Sequence, residues 1–347
     1  MGQQHSGFVV EIASPRLGRF QAVPQKDPDE KPPPEWRITV NPAAELFGSH
    51  RLKQLIDRLY HHQKLLTPTD ARQLLSALYG IDPTADLLLP LLTVISNSTA
   101  YPANQVLMRD LKLTERIVDM LCLKQALWPP QCRLMLLQCV ANMAVCPENL
   151  MIVKPTIPIA ISRLSSTDET EVVVALQALT NLSLRISSDD IPTFVPCINA
   201  CLNHLWVRGE ANINALRLLV NLSCCPDLVP YMLGAKPVTG LIRILDSDRD
   251  EILLRGVTWL LCTSSAVEAL NITYDTIASH NQDPFSSPTQ TLFYSIFGAK
   301  GREEMITRAI ELRSHNQKDI AQKSQRLLEI VSKIPLLPAP GSHLNRL

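Results

Sequence analysis

Glycine and aromatic residues are scarce in this sequence. Only 12 of the 347 residues are glycine, and Phe, Trp and Tyr together make up 5%. Few backbone positions are therefore free to adopt the left-handed conformations that hairpins and phosphate-binding loops use. The hydrophobic residues, 46% of the chain, must build their core from aliphatic side chains, which suits stacked helices better than sheets. The composition predicts an all-α fold.

An excess of charge of either sign is also absent. The 33 basic residues balance the 33 acidic residues, so the formal net charge is zero. Nucleic-acid binding depends on a concentrated positive surface that neutralises phosphates. We therefore expect no nucleic-acid partner.

The sequence motifs of common enzyme classes are missing as well. There is no G-x-S-x-G, P-loop, G-x-G-x-x-G or H-E-x-x-H segment, and the eight histidines are scattered along the chain. No histidine is paired in sequence with both a nucleophile and an orienting acid, as nucleophilic catalysis requires. We expect no catalytic residues and no cofactor.

The nine cysteines do not follow the spacing of zinc ligands. Cys197, Cys201 and His204 are separated by four and three residues, so one helical face could present all three. A tetrahedral metal site would still need a fourth ligand. Because free cysteines are commonly buried core residues, the pattern favours a place in the core, and we expect no metal site.

The first 45 residues differ in composition from the rest of the chain. They contain seven of the 26 prolines and little apolar surface. Proline at this density prevents a continuous helix, and the few apolar side chains cannot offset the entropy lost on ordering. We interpret residues 1–45 as a flexible, disordered N-terminal arm.

The arm begins with a lipidation motif. Gly2 and Ser6 fit M-G-x-x-x-[ST], the pattern for N-myristoylation after removal of the initiator methionine. One myristoyl chain gives weak and reversible membrane binding. Residues 1–30 contain no long apolar segment of the kind found in a signal peptide. We therefore expect a cytoplasmic protein that binds the cytosolic face of a membrane through Gly2.

Helical periodicity begins near residue 46. Four apolar residues fall on one face at the spacing i, i+3, i+4, i+7: Leu52, Leu55, Ile56 and Leu59. Thr69 is predicted to cap the next helix, which should end at Gly80. The pattern predicts a helical domain over residues 46–333, with two closing helices near 300–333, and a flexible tail over residues 334–347.

A repeat of about 40 residues runs through the helical domain. The segments LTVISNS, LQCVANMA, LQALTNLS and LRLLVNLS each place an asparagine in the same frame: Asn97, Asn142, Asn181 and Asn221. Their separations are 45, 39 and 40 residues, and Cys262 occupies the frame 41 residues further on. The segments that follow the first two copies, STAYPANQ and MAVCPENL, also align Asn104 with Asn149.

Two of the repeats carry a helix-start signature. Ser166 precedes Glu169 by three residues, and Ser247 precedes Asp250 by the same interval. These signals agree with the spacing and the apolar pattern. The sequence predicts a helical-repeat solenoid, coiled as a right-handed superhelix with a concave surface, because single repeats cannot bury their apolar stripes alone.

Polar residues recur at matching positions of the predicted inner helices. We name as the polar row the four asparagines together with the residues four positions earlier: Thr93, Gln138, Gln177, Arg217, Asn97, Asn142, Asn181 and Asn221. An amide offers two donors and an acceptor, which suits the backbone of a bound protein segment. The alternative interpretation, which can hold at the same time, is that each asparagine ties down a neighbouring repeat.

The LxxLxNLS frame and the continuation PxNQ resemble armadillo repeats over roughly residues 85–265. In peptide-binding members such as importin-α and β-catenin, the matching asparagine holds an extended peptide by its backbone. Importin-α also has a tryptophan one turn earlier that clamps lysines of a nuclear localisation signal. This sequence has Thr93, Gln138, Gln177 and Arg217 there, which argues against a nuclear-import receptor.

A more specific resemblance is to the armadillo repeat-containing X-linked family. It rests on ALRLLVNLSCCPDLVPYML, PTQTLFYSIF and SHNQKDIAQKSQRLLEIVSKI, and covers about residues 90–333. Members lie on the outer mitochondrial membrane and act as adaptors in mitochondrial movement. They are anchored by an N-terminal transmembrane helix, which this sequence does not show.

The sequence therefore predicts a non-catalytic adaptor that binds a protein segment or helix along Asn97, Gln138, Asn142, Gln177, Asn181, Arg217 and Asn221. Its attachment to a membrane would be reversible, and the resemblance extends its role to the positioning or trafficking of organelles. The alternative is a soluble structural subunit of a larger cytosolic assembly, with no membrane role.

Overall fold

The computed structural model describes residues 49–62, 65–122, 128–278 and 290–337. These described residues fall into two compact units, divided between Leu182 and Ser183. The predicted arm with Gly2 lies outside the described residues, as does the last part of the predicted tail.

The first unit is built from helices throughout its described part. In chain order they are α1 (Ser49–His62), α2 (Pro68–Gly80), α3 (Leu88–Thr99), α4 (Pro102–Asp110), α5 (Leu113–Cys122), α6 (Pro130–Met143), α7 (Leu150–Val153), α8 (Ile157–Arg163) and α9 (Glu169–Leu182). Short 3-10 turns at Pro147–Asn149 and Lys154–Thr156 lead into α7 and α8. The expected all-α solenoid is confirmed.

The described part of the second unit is also built mainly from helices, with one short β-hairpin in addition. Its helices are α10 (Ile191–Asn203), α11 (Ile213–Ser223), α12 (Val229–Leu233), α13 (Asp250–Ala269), α14 (Tyr274–Ala278), α15 (Leu292–Phe297), α16 (Ala299–Leu312) and α17 (Lys318–Lys333). Three 3-10 turns lie at Ser188–Asp190, Pro226–Leu228 and Leu241–Asp246. The two closing helices expected near 300–333 are α16 and α17.

Helix α2 begins with a reciprocal N-cap, which lies two residues before the cap predicted from the sequence. Thr67, and not Thr69, is the N-cap: its hydroxyl accepts from the backbone N–H of Asp70, and the Asp70 carboxylate accepts from the N–H of Thr67. Thr69 lies inside the first turn because Pro68 occupies the first helical position, which proline favours. The predicted end at Gly80 is correct.

The repeat frame corresponds to one row of helices in the first unit. Helix α6 packs between α3 and α9, and the apolar faces of all three are buried. On α3, for example, Leu91, Leu92 and Ile95 have no exposed surface. We call α3, α6 and α9 the inner helices of this unit. Burial of a Leu or Ile side chain stabilises the fold by about 1.5–3 kcal/mol, so this shared core supplies much of the unit's stability.

The serines that signal helix starts do mark two inner helices, by a different contact from the one expected. Helix α9 begins at Glu169 and α13 at Asp250. The hydroxyl of Ser166 accepts from the backbone N–H of Asp168, and that of Ser247 accepts from the N–H of Arg249. Each serine therefore closes a turn two residues long just before the helix.

In the second unit α13 packs between α11 and α17, and we call these three the inner helices of this unit. Trp259 on α13 is fully buried, and its indole N–H donates to the Met232 sulfur at 3.2 Å. Among the described residues, α13 is long and apolar enough to cross a membrane, yet 72% of its apolar stretch is buried within the protein. That burial is the pattern of a core helix.

A two-stranded hairpin interrupts the helices between α10 and α11. Strands β1 (Trp206–Val207) and β2 (Glu210–Ala211) are antiparallel, with Trp206 opposite Ala211. The two loop residues, Arg208 and Gly209, have φ of 52° and 86°. Positive φ at both loop positions is the geometry of a type I′ turn, which tolerates glycine best. The all-α prediction missed this hairpin.

Helix α13 lies so close to the 3-10 turn Leu241–Asp246 that only glycine fits at position 256. A Cβ atom on Gly256 would lie 2.4 Å from Cγ2 of Ile244. We expect Gly256→Ala to lower the free energy of unfolding by about 1–3 kcal/mol through this overlap. The same change in an open helix would raise it by up to about 1 kcal/mol. Urea denaturation measures the difference.

The control for this prediction is a double-mutant cycle. Ile244→Ala removes the methyl group that the new Cβ would meet. In that background Gly256→Ala should cost much less, or stabilise. An equal cost in both backgrounds would show that the close approach does not exist.

Candidate functional site

The asparagines of the polar row lie in the last turn of successive inner helices. Asn97 is on α3, Asn142 on α6, Asn181 on α9 and Asn221 on α11. The partner residues four positions earlier lie one turn before them on the same helices. The repeat frame found in the sequence therefore corresponds to one position in the structure, the last turn of these helices.

The amide of Asn142 binds the preceding inner helix. Its Nδ2 donates to the hydroxyl of Thr99 at 2.9 Å and to the carbonyl oxygen of Ser96 at 3.3 Å, both on α3. Its Oδ1 accepts from Nε2 of Gln138 at 3.1 Å. Only 5% of Asn142 is exposed. The side chain is thus satisfied within the fold and joins α6 to α3.

Asn181 and Asn221 make the corresponding contacts further along the chain. Nδ2 of Asn181 donates to the carbonyl oxygen of Ala141 at 2.7 Å, which joins α9 to α6. In the second unit, Nδ2 of Asn221 donates to the hydroxyl of Ser183 at 3.2 Å. Both asparagines are buried.

These contacts follow one rule of position. The acceptor carbonyl lies one residue before the preceding frame asparagine, as in Ser96 and Ala141, and the acceptor hydroxyl lies two residues after it, as in Thr99 and Ser183. Asn181 has no hydroxyl to bind because Ala144 occupies that position. Three of the asparagines therefore use their amide nitrogen to tie down a neighbouring repeat, as the alternative interpretation expected.

In two side chains of the polar row the amide nitrogen donates a hydrogen bond, whereas the amide oxygen has no donor among the described residues. Oε1 of Gln138 and Oδ1 of Asn181 are buried, and within the described part of the chain neither accepts a hydrogen bond. Helices α6 and α9, which carry these oxygens, pack side by side. A buried acceptor without a donor costs about 1–3 kcal/mol. This pair of helices therefore carries two acceptors that an added N–H donor would stabilise.

Other members of the row in the first unit reach solvent. Asn97 is exposed, and Thr93 and Gln177 are half-buried. The Thr93 hydroxyl donates to the carbonyl oxygen of Leu89 at 2.8 Å, within α3. Asn97, Thr93 and Gln177 thus leave polar surface on α3 and α9, on either side of the buried amides of α6.

Arg217 is engaged in the second unit. Its guanidinium forms an ion pair with Glu251 in the first turn of α13. The Nε atom is buried and makes no hydrogen bond to any described residue. The arginine therefore joins α11 to α13, one turn before the asparagine contact of the same helix.

Comparison with known proteins identifies the family. A family model described as Armadillo-like matches residues 66–274, which is more than half of the chain. The chain belongs to the Armadillo-like family. Among curated proteins, no sequence matches it.

Solved structures share the armadillo fold at low sequence identity. An engineered protein has a TM-score of 0.54 at 15% identity, covering 76% of this chain and 96% of its own. A designed armadillo repeat protein in complex with the peptide (KR)4 has a TM-score of 0.51 at 12% identity, covering 81% and 99%. A computationally designed armadillo repeat protein for modular peptide recognition has a TM-score of 0.51 at 14% identity, covering 76% and 98%.

The armadillo fold is typical of protein-binding scaffolds. Stacked repeats present equivalent side chains at regular intervals, which makes an extended binding surface. The expectation of an armadillo-like repeat protein is confirmed.

Two further amides, Asn104 and Asn149, which the repeat aligns in the sequence, make contacts within the fold. Nδ2 of Asn104 donates to the carbonyl of Ser98 at 2.9 Å, and Nδ2 of Asn149 donates to that of Met143 at 3.3 Å. Each acceptor lies six residues earlier, at the end of an inner helix. The two asparagines therefore hold the turn that follows α3 and α6.

Gln105 is a bridging residue that the sequence did not single out. Its Nε2 donates to the carbonyl oxygens of Thr99 at 2.8 Å and Asn142 at 3.0 Å, so it links the ends of α3 and α6. The signal was present, since Gln105 follows Asn104 in PANQ. It could not be interpreted because only the fold brings position 142 close.

The cysteines considered as metal ligands lie in the core. Cys197 and Cys201 are fully buried, and the Cys201 thiol donates to the carbonyl oxygen of Ala215 at 3.4 Å. Burial raises the pKa of Cys197 to about 12, so it stays a thiol near neutral pH. His204 is half-buried at the end of α10. Across the described ranges, no three His, Cys, Asp or Glu side chains are grouped to hold a metal.

Asn142 and Asn97 form a matched pair for testing the structural role. Asn142→Ala removes three hydrogen bonds and leaves buried groups on α3 without a donor, so the free energy of unfolding should fall by about 1–3 kcal/mol. Asn97→Ala at the same frame position changes an exposed side chain and should stay within about 0.5 kcal/mol of the wild type. Equal effects in urea denaturation would contradict the assignment.

Proposed function

We propose that this chain is a non-catalytic protein-binding scaffold that holds an extended segment of a partner across α3, α6 and α9. The observation that carries the proposal is the pair of acceptors at Gln138 Oε1 and Asn181 Oδ1, buried without a donor on two neighbouring inner helices. Backbone N–H groups of a bound segment would supply the missing donors. Since these oxygens are buried, we expect Gln177, one turn before Asn181, to move when the segment binds.

The spacing of the inner helices supports an extended segment. Packed helices lie about 8–10 Å apart, and an extended peptide advances about 3.3 Å per residue. Successive inner helices would therefore meet every second or third residue of the peptide. A short helix in the same place would satisfy its own backbone N–H groups and leave the two oxygens without donors.

A solved structure with the same fold also supports the proposal. The designed armadillo repeat protein that covers 81% of this chain is described in complex with the peptide (KR)4. The armadillo fold thus accommodates a peptide in that protein. The present chain has Thr93, Gln138 and Gln177 where importin-α has the tryptophans that clamp lysine, so we propose recognition of the partner's backbone more than of lysine side chains.

Photo-crosslinking tests where the partner binds. We expect p-benzoylphenylalanine at position 177 of the full chain, expressed in cells, to capture a protein through one short segment. A synthetic peptide of that segment should bind the purified wild type. Asn97→Ala with Gln177→Ala should weaken this binding by about fivefold or more, because each lost hydrogen bond contributes about 1 kcal/mol.

Met151 provides the matched control for crosslinking. It lies on α7 of the same unit and is 76% exposed, so the probe there is accessible on a helix that carries no residue of the polar row. Capture of the same protein from both positions, or undiminished peptide binding by the double variant, would overturn the proposal.

We further propose that the chain is tethered to a cytosolic membrane surface by myristoylation of Gly2. The support is the motif M-G-x-x-x-[ST], completed by Ser6. The resemblance to the armadillo repeat-containing X-linked family suggests the mitochondrial outer surface and a role in organelle positioning. The matched family model supports the wider Armadillo-like assignment, and the X-linked assignment stays part of this proposal.

Metabolic labelling with an alkyne analogue of myristate tests the tether. The wild type should incorporate the label and partition partly with membranes after cell lysis. Gly2→Ala should lose the label and remain in the soluble fraction, whereas Gly7→Ala, a glycine that the motif does not require, should behave as the wild type. Unchanged partitioning of Gly2→Ala would favour the alternative, a soluble subunit of a cytosolic assembly.

A further inference from the structure

The inner helices of the first unit carry very little charge. Helix α3 contains no charged residue, α6 contains only Arg133, and α9 contains only Glu169 and Glu171. All three charges lie in the first turn of their helix. Arg133 donates to the carbonyl oxygen of Trp128 at 2.7 Å, and Glu171 accepts from the hydroxyl of Ser166 at 2.6 Å. From the second turn onward, α3, α6 and α9 contain no charged side chain.

A row of aliphatic side chains lies on the same three helices, four residues before the partner residues of the polar row. We define the aliphatic row as the residues eight positions before the frame asparagines of the first unit: Leu89, Leu134 and Val173. All three are half-buried, whereas Leu136 and Leu137 of α6 are fully buried in the core. The second unit shows the same pattern by itself, since Ile213 on α11 and Leu254 on α13 are half-buried eight positions before their frame residues.

The aliphatic row is the neighbour of the polar row on the helix surface. Residues four positions apart lie side by side on a helix and are separated by about 6 Å along its axis. On α6 the order along the helix is therefore Leu134, Gln138 and Asn142. Each inner helix of the first unit thus presents one aliphatic side chain next to two uncharged polar ones.

An extended segment held on the polar row would place side chains over the aliphatic row. Alternate side chains of an extended segment point to opposite sides of its backbone. With backbone N–H groups at the buried, donor-free oxygens of Gln138 and Asn181, one set of these side chains points along the helices toward Leu134 and Val173. Because packed helices lie about 8–10 Å apart, such contacts recur at every second or third residue of the segment.

We propose that the partner segment is uncharged where it crosses α3, α6 and α9, and that it packs aliphatic side chains on Leu89, Leu134 and Val173. This inference rests on the proposed scaffold function and names the class of segment that is bound. A charged side chain covered at this surface loses its hydration and needs a group of opposite sign, which these helices lack beyond their first turn. Aliphatic side chains gain free energy when they cover the half-exposed row.

Selection of random peptides displayed on phage, with the purified full chain as bait, tests this inference. We expect enriched sequences in which Leu, Ile or Val recurs at every second or third position, with no Lys, Arg, Asp or Glu between them. A synthetic peptide of an enriched sequence should bind the wild type about tenfold or more tightly than the basic peptide (KR)4. Isothermal titration calorimetry measures both affinities.

A charge introduced into the aliphatic row should change the selected sequences. Leu134→Glu should weaken binding of the aliphatic peptide by about tenfold and enrich Lys or Arg at one position, because specificity follows the charge of the site. Val173→Lys should enrich Asp or Glu instead, so the test does not depend on the folding of one variant. Met151→Glu is the matched control: Met151 is 76% exposed on α7, and this variant should select the same sequences as the wild type.

The outcomes separate this inference from the scaffold function on which it rests. Enriched peptides rich in Lys and Arg, or sequences that Leu134→Glu and Val173→Lys leave unchanged, would overturn the inference while the scaffold function stands. A change in the selected sequences with Met151→Glu as large as that with Leu134→Glu would overturn it as well. If no peptide is enriched the inference fails, and crosslinking from position 177 then decides whether the scaffold function fails with it.

Discussion

One contact recurs where an inner helix meets the helix before it: a polar side chain of the later helix binds the last turn of the earlier one. Asn142 and Asn181 make it in the first unit, and in the second unit Asn221 donates to the Ser183 hydroxyl. Apolar side chains alone permit two helices to slide, because burial is not directional. A hydrogen bond at about 2.9 Å fixes both spacing and register, so the stack depends on these contacts for its regularity.

The sequence predicted the positions of the frame asparagines but not which contact each amide nitrogen and oxygen makes. Asn142, Asn181 and Asn221 place the same donor at the same position, and their interval near 40 residues could be found by comparing the chain with itself. The roles of the two ends of each amide were left open, because an amide offers donors and an acceptor. The fold decides between them by placing the hydroxyls of Thr99 and Ser183 beside the nitrogens.

Features that depend on tertiary proximity were beyond the sequence. Gln105 and Asn142 are 37 residues apart, so no local pattern joins them. The hairpin β1–β2 was missed for a different reason. Its loop, Arg208–Gly209, lacks the Asn-Gly pair that usually marks a type I′ turn.

The nitrogen ends of the polar row hold the armadillo stack together, while the free oxygens of Gln138 and Asn181 carry the proposal of partner binding. This division rests first on the claim that Asn142 is coupled to α3, and a double-mutant cycle with Asn142→Ala and Thr99→Val tests that claim most directly. We predict a coupling free energy of about 0.5–3 kcal/mol in urea denaturation. Additive effects, with no coupling beyond about 0.3 kcal/mol, would contradict it.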